Sequence, residues 1–323
     1  LTRLIPRPSS REARFEYHGL IPSAAQPHLE SILDAFVVGF NAALDERDDG
    51  ELARWLGANF RPHWLGFAFE GAGAARAAED LLAPWPSRRL RTVLTGAGAE
   101  HDYIATVGAG LTLARLPWGL RCLDRYMATV DPLLAWCVAD GVGFYHGLFK
   151  HRTTVARCAE PPARLSASTR QLFDAGLGRS LWWIGGASPE RIGEAIARFP
   201  EARRPELWCG VGLASAYAGG VDAESLQRLL AQSGPYHADF RAGIPFACRL
   251  RQKARNPSAL TDLAARLLLG CEADVAASYL AGLQDSTLEE LGADEAAVRE
   301  NGYREMRRRL TAALAAGEFP APG

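Results

Sequence analysis

From His28 to Leu44 the apolar residues Leu29, Ile32, Leu33, Phe36, Val37 and Phe40 fall three and four places apart. That spacing lines one face of an α-helix. Asp45-Glu-Arg-Asp-Asp-Gly50 reads as a charged turn into a second helix that runs through Leu56. Ser188-Pro-Glu190 opens another, because serine caps free amides and proline suits the first helical position. The run from Arg191 to Phe199 that follows stops before Pro200. Asp222 to Gln232, with Asp222 as its cap, and Ala259 to Leu269 also read as helices. The tail from Thr287 to Ala316 sets Leu288, Leu291, Val298, Met306, Leu310 and Leu314 among charges, which predicts one or two amphipathic helices. Alternating β-branched runs are scarce, so strands should be few and the fold mostly α. The apolar run from Tyr103 to Leu113 is interrupted by Gly108 and Gly110 and closed by Arg115. It falls short of the roughly 18 apolar residues a spanning helix needs.

Laying the chain on itself shows matches in one order. Arg61-Pro62 and the glycines beyond it resemble Arg204-Pro205 and Gly210-Val-Gly212. Gly98-Ala-Glu-His101 resembles Ser233-Gly-Pro-Tyr-His237, and Gly108 to Leu116 resembles Ala242 to Leu250. Asp131 to Ala135 echoes Asp262 to Ala265, and Leu33-Asp34-Ala35 echoes Phe173-Asp174-Ala175. The expectation is two tandem, pseudo-symmetric helical repeats forming one compact body. An irregular, Pro/Ser/Arg-rich lead-in covers 1–26, the first repeat 27–160, and the second repeat with C-terminal helices 161–323. The junction falls between Arg152 and Arg170, around Pro161-Pro162 and Ser166 to Thr169. A ligand site is expected between the halves, near His101 and His237.

A chain of 323 residues, 48% hydrophobic, can bury a large core without disulfides or metals. Its net charge of −1 argues against nucleic acid as a partner, since phosphate binding needs a basic surplus. Cys122, Cys137, Cys158, Cys209, Cys248 and Cys271 form no C-x-x-C pair and read as free thiols in a reducing compartment. Leu1 to Pro8 shows no charged-then-apolar signal pattern, so a cytoplasmic location is expected. Apolar faces on the C-terminal helices leave a homodimer open.

Gly71-Ala-Gly73, Gly108-Ala-Gly110, Gly141-Val-Gly143, Gly176-Leu-Gly178 and Gly210-Val-Gly212 recur, yet none completes a nucleotide-binding loop. Small residues in such pairs let helices approach closely. His146 and His151 lie five apart and no H-E-x-x-H occurs, so no metal site is expected. Glu70 lies in the otherwise apolar Leu65-Gly-Phe-Ala-Phe-Glu-Gly-Ala, where an unpaired carboxylate is costly and its pKa rises. It reads as a partner for an arginine or as a functional acid. Its repeat counterpart falls near Ala214, which makes the halves unequal there. Asp140-Gly-Val-Gly-Phe-Tyr-His146-Gly reads as a glycine-punctuated functional loop or a helix end capped by Asp140. Asp174 and Arg179 are placed to pair across a turn, beside Trp182 and Trp183. Arg251, Gln252, Arg255 and Asn256 form a solvated face or a clamp for a polar group. No G-x-S-x-G elbow supports a serine nucleophile.

Several longer motifs resemble the DUF1702 family over nearly the whole chain. They are Leu65 to Ala72, His101-x-Tyr103…Val107-Gly-Ala-Gly, Asp131-Pro-Leu-Leu…Asp140-Gly-x-Gly-Phe-x-His146-Gly, Phe173 to Trp182, and Leu207-Trp208-x-Gly-Val-Gly-Leu-Ala…Tyr217-Ala-Gly-Gly. Leu111-Thr112 stands where an aromatic is familiar, and Pro257-Ser-Ala-Leu ends the polar cluster differently; both departures fit a different substrate. The resemblance implies an accessory or tailoring protein of enediyne antibiotic biosynthesis in actinomycetes. It would act on a polyene from an iterative polyketide synthase, on the way to the enediyne core. A non-catalytic carrier for such a hydrophobic intermediate is the alternative. The implied partners are that intermediate, the synthase and other proteins of the cassette, and no cofactor is specified. The expected catalytic set is Glu70, Asp140, His146, Asp174 and Arg179. The expected substrate-binding set is His101, Tyr103, Trp182, Trp208, Tyr217, His237, Arg251 and Gln252.

Overall fold

Six helices that share a sequence feature form the spine of the computed structural model, which describes residues 4–85 and 87–319. They are α1 (Gln26–Asp45), α2 (Pro62–Leu82), α3 (Asp102–Arg115), α4 (Ala135–Phe149), α5 (Ala167–Ile184) and α6 (Arg204–Tyr217). Each packs on the next, with α4 against α5 the most extensive pairing. Early residues meet early residues: His28 lies on Trp64 and Phe69 stacks on His101. Late residues meet late ones: Arg76 donates to the Ala43 carbonyl and Thr112 to that of Ala74. The neighbours therefore run parallel. Shorter segments, such as the helix Asp49–Asn59 after α1 and Pro189–Ala197 after α5, carry the chain back between them.

The shared feature is a glycine contact, a pair on α2 to α6 and a single glycine on α1. On α2 to α6 the first glycine of each pair faces the preceding helix and the second faces the following one. A Cβ at any of the ten would overlap a backbone carbonyl oxygen of the neighbour. The register repeats: Gly71, Gly108, Gly141, Gly176 and Gly210 meet the carbonyls of Phe36, Glu70, Val107, Asp140 and Ala175. At the ends only the inward glycine remains, Gly39 on α1 facing α2 and Gly243 facing α6. Side chains are thus removed where backbones touch, and the faces flanking the pairs are free for larger residues.

Beyond the row, α7 (His237–Ala242), α8 (Ile244–Lys253), α9 (Ala259–Leu269), α10 (Ala273–Leu291) and α11 (Glu295–Ala316) complete the body. Tyr303 of α11 packs on Trp136 near the start of α4, with ring centroids 4.8 Å apart. Buried Arg307 ties α11 to Asp239 at 2.8 Å.

Every regular element among the described residues is helical, as the periodicity predicts. Ser188 and Asp222 cap their helices, and the helix expected over 259–269 is found with those bounds. The tail forms two helices, the first starting well before Thr287. The lead-in contains two short helical turns, Ser10–Ala13 and Phe15–His18, and lies on the late ends of the row through the Arg7–Asp45 and Arg115–Glu12 ion pairs. Residues 1–3 of that lead-in and 320–323 of the expected second repeat lie outside the described residues. All six cysteines are free. Among the described residues no helix is long and apolar enough to cross a membrane.

Candidate functional site

The positions just before and just after each glycine pair share one helix face. On α1 to α5 that face supplies Phe36, Phe40, Glu70, Ala74, Leu111, Phe144 and Arg179, and all seven line one cavity. Ile32, Phe67, Leu148 and Trp183 extend its apolar walls, and Pro8 and Glu12 of the lead-in lie across it with Arg115, Tyr145 and Phe149. The cavity has about 800 Å³ free of protein atoms, its open mouth included, of which about 70 Å³ admits the centre of a water molecule. Most of that space is too narrow to admit the centre of a water molecule, so the cavity is a narrow slot.

Glu70 is the exceptional lining residue. It is buried, and no hydrogen bond from the protein offsets that burial. Desolvation pushes its carboxyl up to about 7; the Arg179 charge opposes the rise and Asp140 adds to it. Arg179 Nε donates to Asp140 Oδ2 at 3.2 Å. Its Nη2 approaches Oδ1 at 2.6 Å, off the N–H direction, so this is an ion contact and not a hydrogen bond. Burial raises the Asp140 carboxyl, but the adjacent guanidinium keeps its charge, and we take the pair as ionised. Arg179 also covers the Phe144 ring at 4.9 Å. The floor of the slot thus combines a carboxyl that titrates near neutrality with a fixed cation whose Nη2 has no aligned acceptor.

Three of the expected catalytic residues, Glu70, Asp140 and Arg179, are brought together. The segment from Asp140 to Gly147 is the interior of α4, neither a loop nor a capped end. Its glycines are contact points, with Gly141 on Val107 and Gly143 on Phe173. The expected Asp174–Arg179 pair does not form. Five residues apart on a helix, the two side chains point to different sides. Asp174 instead accepts two bonds from Arg203, at 2.9 and 2.6 Å. His146 lies against Phe173 and lines a separate groove with His18 and His151; burial lowers its pKa to about 4.

The expected substrate-binding residues line other parts of the molecule. His101 stacks on Phe69 at 4.2 Å, and burial followed by the Arg251 charge lowers its pKa to about 4. His237, matched to it in the sequence, is exposed at the start of α7, 3.2 Å from the Gly234 carbonyl. Tyr103 receives a hydrogen bond from Gln284, and Trp182 donates to the Gly219 carbonyl at 3.0 Å. Trp208 packs edge-on to Phe240. Arg251 is buried, not solvated: it lies 4.1 Å over the Tyr217 ring, donates to the His63 and Tyr217 carbonyls, and leaves its Nε without a partner among the described residues. Gln252 bonds Arg249 and Ser278. The lining residues that sequence reasoning missed are aromatic and aliphatic: Phe36, Phe67, Leu111 and Phe144. For Phe36, Leu111 and Phe144 the position beside the row's contact glycines is the signal that would have found them; Phe67 lies one turn before Gly71 on the same helix. Among the described residues no group of three or more His, Cys, Asp or Glu is placed to hold a metal ion.

A family profile described as "Protein of unknown function (DUF1702)" matches residues 1–314. Comparison with curated proteins and with solved structures finds no match.

Proposed function

The chain belongs to the DUF1702 family, whose description assigns no reaction, and from its site we propose a tailoring protein that binds a slender apolar substrate and moves a proton on it. One observation carries this reading: the Glu70 carboxyl, without a hydrogen bond from the protein, faces an apolar slot beside Arg179. A group titrating near 7 serves as both acid and base at neutral pH. Arg179, fixed by Asp140, stabilises negative charge as it develops on the substrate. The substrate class is a long polyene from an iterative polyketide synthase, and the pathway is enediyne antibiotic formation in the cytoplasm. The synthase or another protein of the same cassette hands the polyene over. Support for an extended apolar ligand comes from Phe36, Phe67, Leu111, Phe144 and Trp183 along the slot.

The tandem halves belong to this reading. The matched segments at Arg61-Pro62 and Arg204-Pro205 each open a row helix, four places apart, which supports two halves built from a shorter glycine-pair unit.

In a pathway reconstituted with the synthase, Glu70→Gln is expected to bind the polyene as the native chain does and to abolish product. Full turnover in that variant removes the acid/base role. The predominantly apolar lining also favours a second reading, a carrier that holds the polyene without chemistry. A polyene that stays bound and spectrally unchanged in both native chain and variant selects it.

A further inference from the structure

The parallel helices of the row all end on one side, where exposed aromatic and cationic side chains lie together. Trp85, in the turn after α2, is 60% exposed, and Trp118, in the turn after α3, is 42% exposed. Phe149 closes α4, and Tyr17 and Ile21 of the lead-in lie near the same ends; all three are exposed. His18, next to Tyr17, packs edge-on to Phe149. Interleaved with these apolar side chains are Arg88, Arg91, Arg121, Arg125, Lys150 and Arg152, all exposed and none within an ion pair among the described residues. Trp85, Arg88, Arg91 and Arg125 share one groove; Tyr17, Phe149, Lys150 and Arg152 share another. Six such cations thus gather at these ends, with Glu16 and Asp124 the exposed acids beside them in sequence. Phe149 and Arg115 also line the slot that leads to Glu70, so its mouth opens on this side.

We propose that this end of the row is a docking surface for an anionic lipid bilayer, with the slot opening towards the lipid. Tryptophan and tyrosine favour the headgroup region, where one edge of the ring is wet and the other apolar. Arginine and lysine add attraction to anionic headgroups. A ring of dispersed aromatic tips with cations between them suits a flat, soft surface. An apolar molecule partitioned into that bilayer then reaches the slot without crossing water. The docking does not require Glu70 chemistry, so Glu70→Gln is expected to bind vesicles as the native chain does.

The test is co-sedimentation with vesicles of phosphatidylcholine alone and of phosphatidylcholine mixed with phosphatidylglycerol. Binding is expected to the mixed vesicles only, and to weaken as salt screens the charges. Arg121→Ala with Arg125→Ala is expected to weaken it about 25-fold, roughly fivefold per cation. Lys150→Ala with Arg152→Ala, on the other groove, should give a similar loss. Trp85→Ala with Trp118→Ala should weaken binding at every salt concentration. Arg255→Ala removes an exposed cation beside Glu100, at the opposite end of the row, and should change nothing. These side chains are exposed, and unchanged melting curves check that the variants fold. Failure to bind the mixed vesicles at low salt overturns the proposal, as does binding that both double cation variants retain. Salt-sensitive binding of polyglutamate without vesicle binding also overturns it, in favour of an acidic protein partner.

Discussion

Glu70 keeps its proton in the folded chain up to about 7, whereas an ordinary glutamate releases it near 4.5. Between those values the folded state binds more protons than the unfolded state, so stability falls as pH rises through the window. The loss is complete above the folded value and amounts to about 3 kcal/mol. Glu70→Gln is neutral throughout and removes this slope. Denaturant titrations are expected to find native chain and variant about equally stable near pH 4, and the variant more stable by about 3 kcal/mol around pH 8. A constant difference across that range would show that folding leaves the Glu70 pKa at its ordinary value. Glu70 was legible in the sequence because a single carboxylate interrupts a long apolar run. Its neighbour Arg179 was legible as a site residue but not in its pairing. The bond to Asp140 joins α4 to α5, and helical periodicity carries no register between helices. The closer acid in sequence, Asp174, lies on another side of the same helix and is taken by Arg203.

At the scale of elements, the glycine pairs decide how close the helices come. Gly176→Ala would set a Cβ against the Asp140 carbonyl and push α4 from α5. A loss of about 3 kcal/mol or more in unfolding free energy is expected. Gly282, exposed within α10 with nothing near its missing Cβ, gives the opposite result. Gly282→Ala should stabilise by about 0.5 to 1 kcal/mol, because alanine restricts the unfolded chain and favours helix. Equal effects at the two sites would remove the close-packing account. The same pairs explain what the sequence hid. Helices with amphipathic faces, such as Ala259–Leu269, declare themselves by period, and Ser188 and Asp222 declare their starts. Helix α4 is buried on nearly all sides and carries Gly141, Gly143 and Gly147, so it lacks a polar face and looks like a loop. Its glycines stand where neighbouring backbones pass, a fact of tertiary structure that no local pattern records.

For the whole molecule, the row of parallel helices does two things at once. It stacks one type of contact from α1 to α6, and on α1 to α5 it turns residues beside those contacts towards one slot. Pro8 and Glu12 of the lead-in line the slot near the late ends of the helices, where cations and aromatic side chains also gather. In the proposed function, substrate entry, apolar binding and proton transfer lie along one line, from Phe149 and Arg115 to Glu70. That account depends on a carboxyl that titrates near neutrality inside a folded protein. Infrared difference titration of the native chain against Glu70→Gln isolates the carboxyl band of this one residue. The band of the protonated acid is expected to persist through mildly acidic pH and to disappear with a midpoint of about 7. A midpoint near 4.5, the ordinary value, would contradict the account.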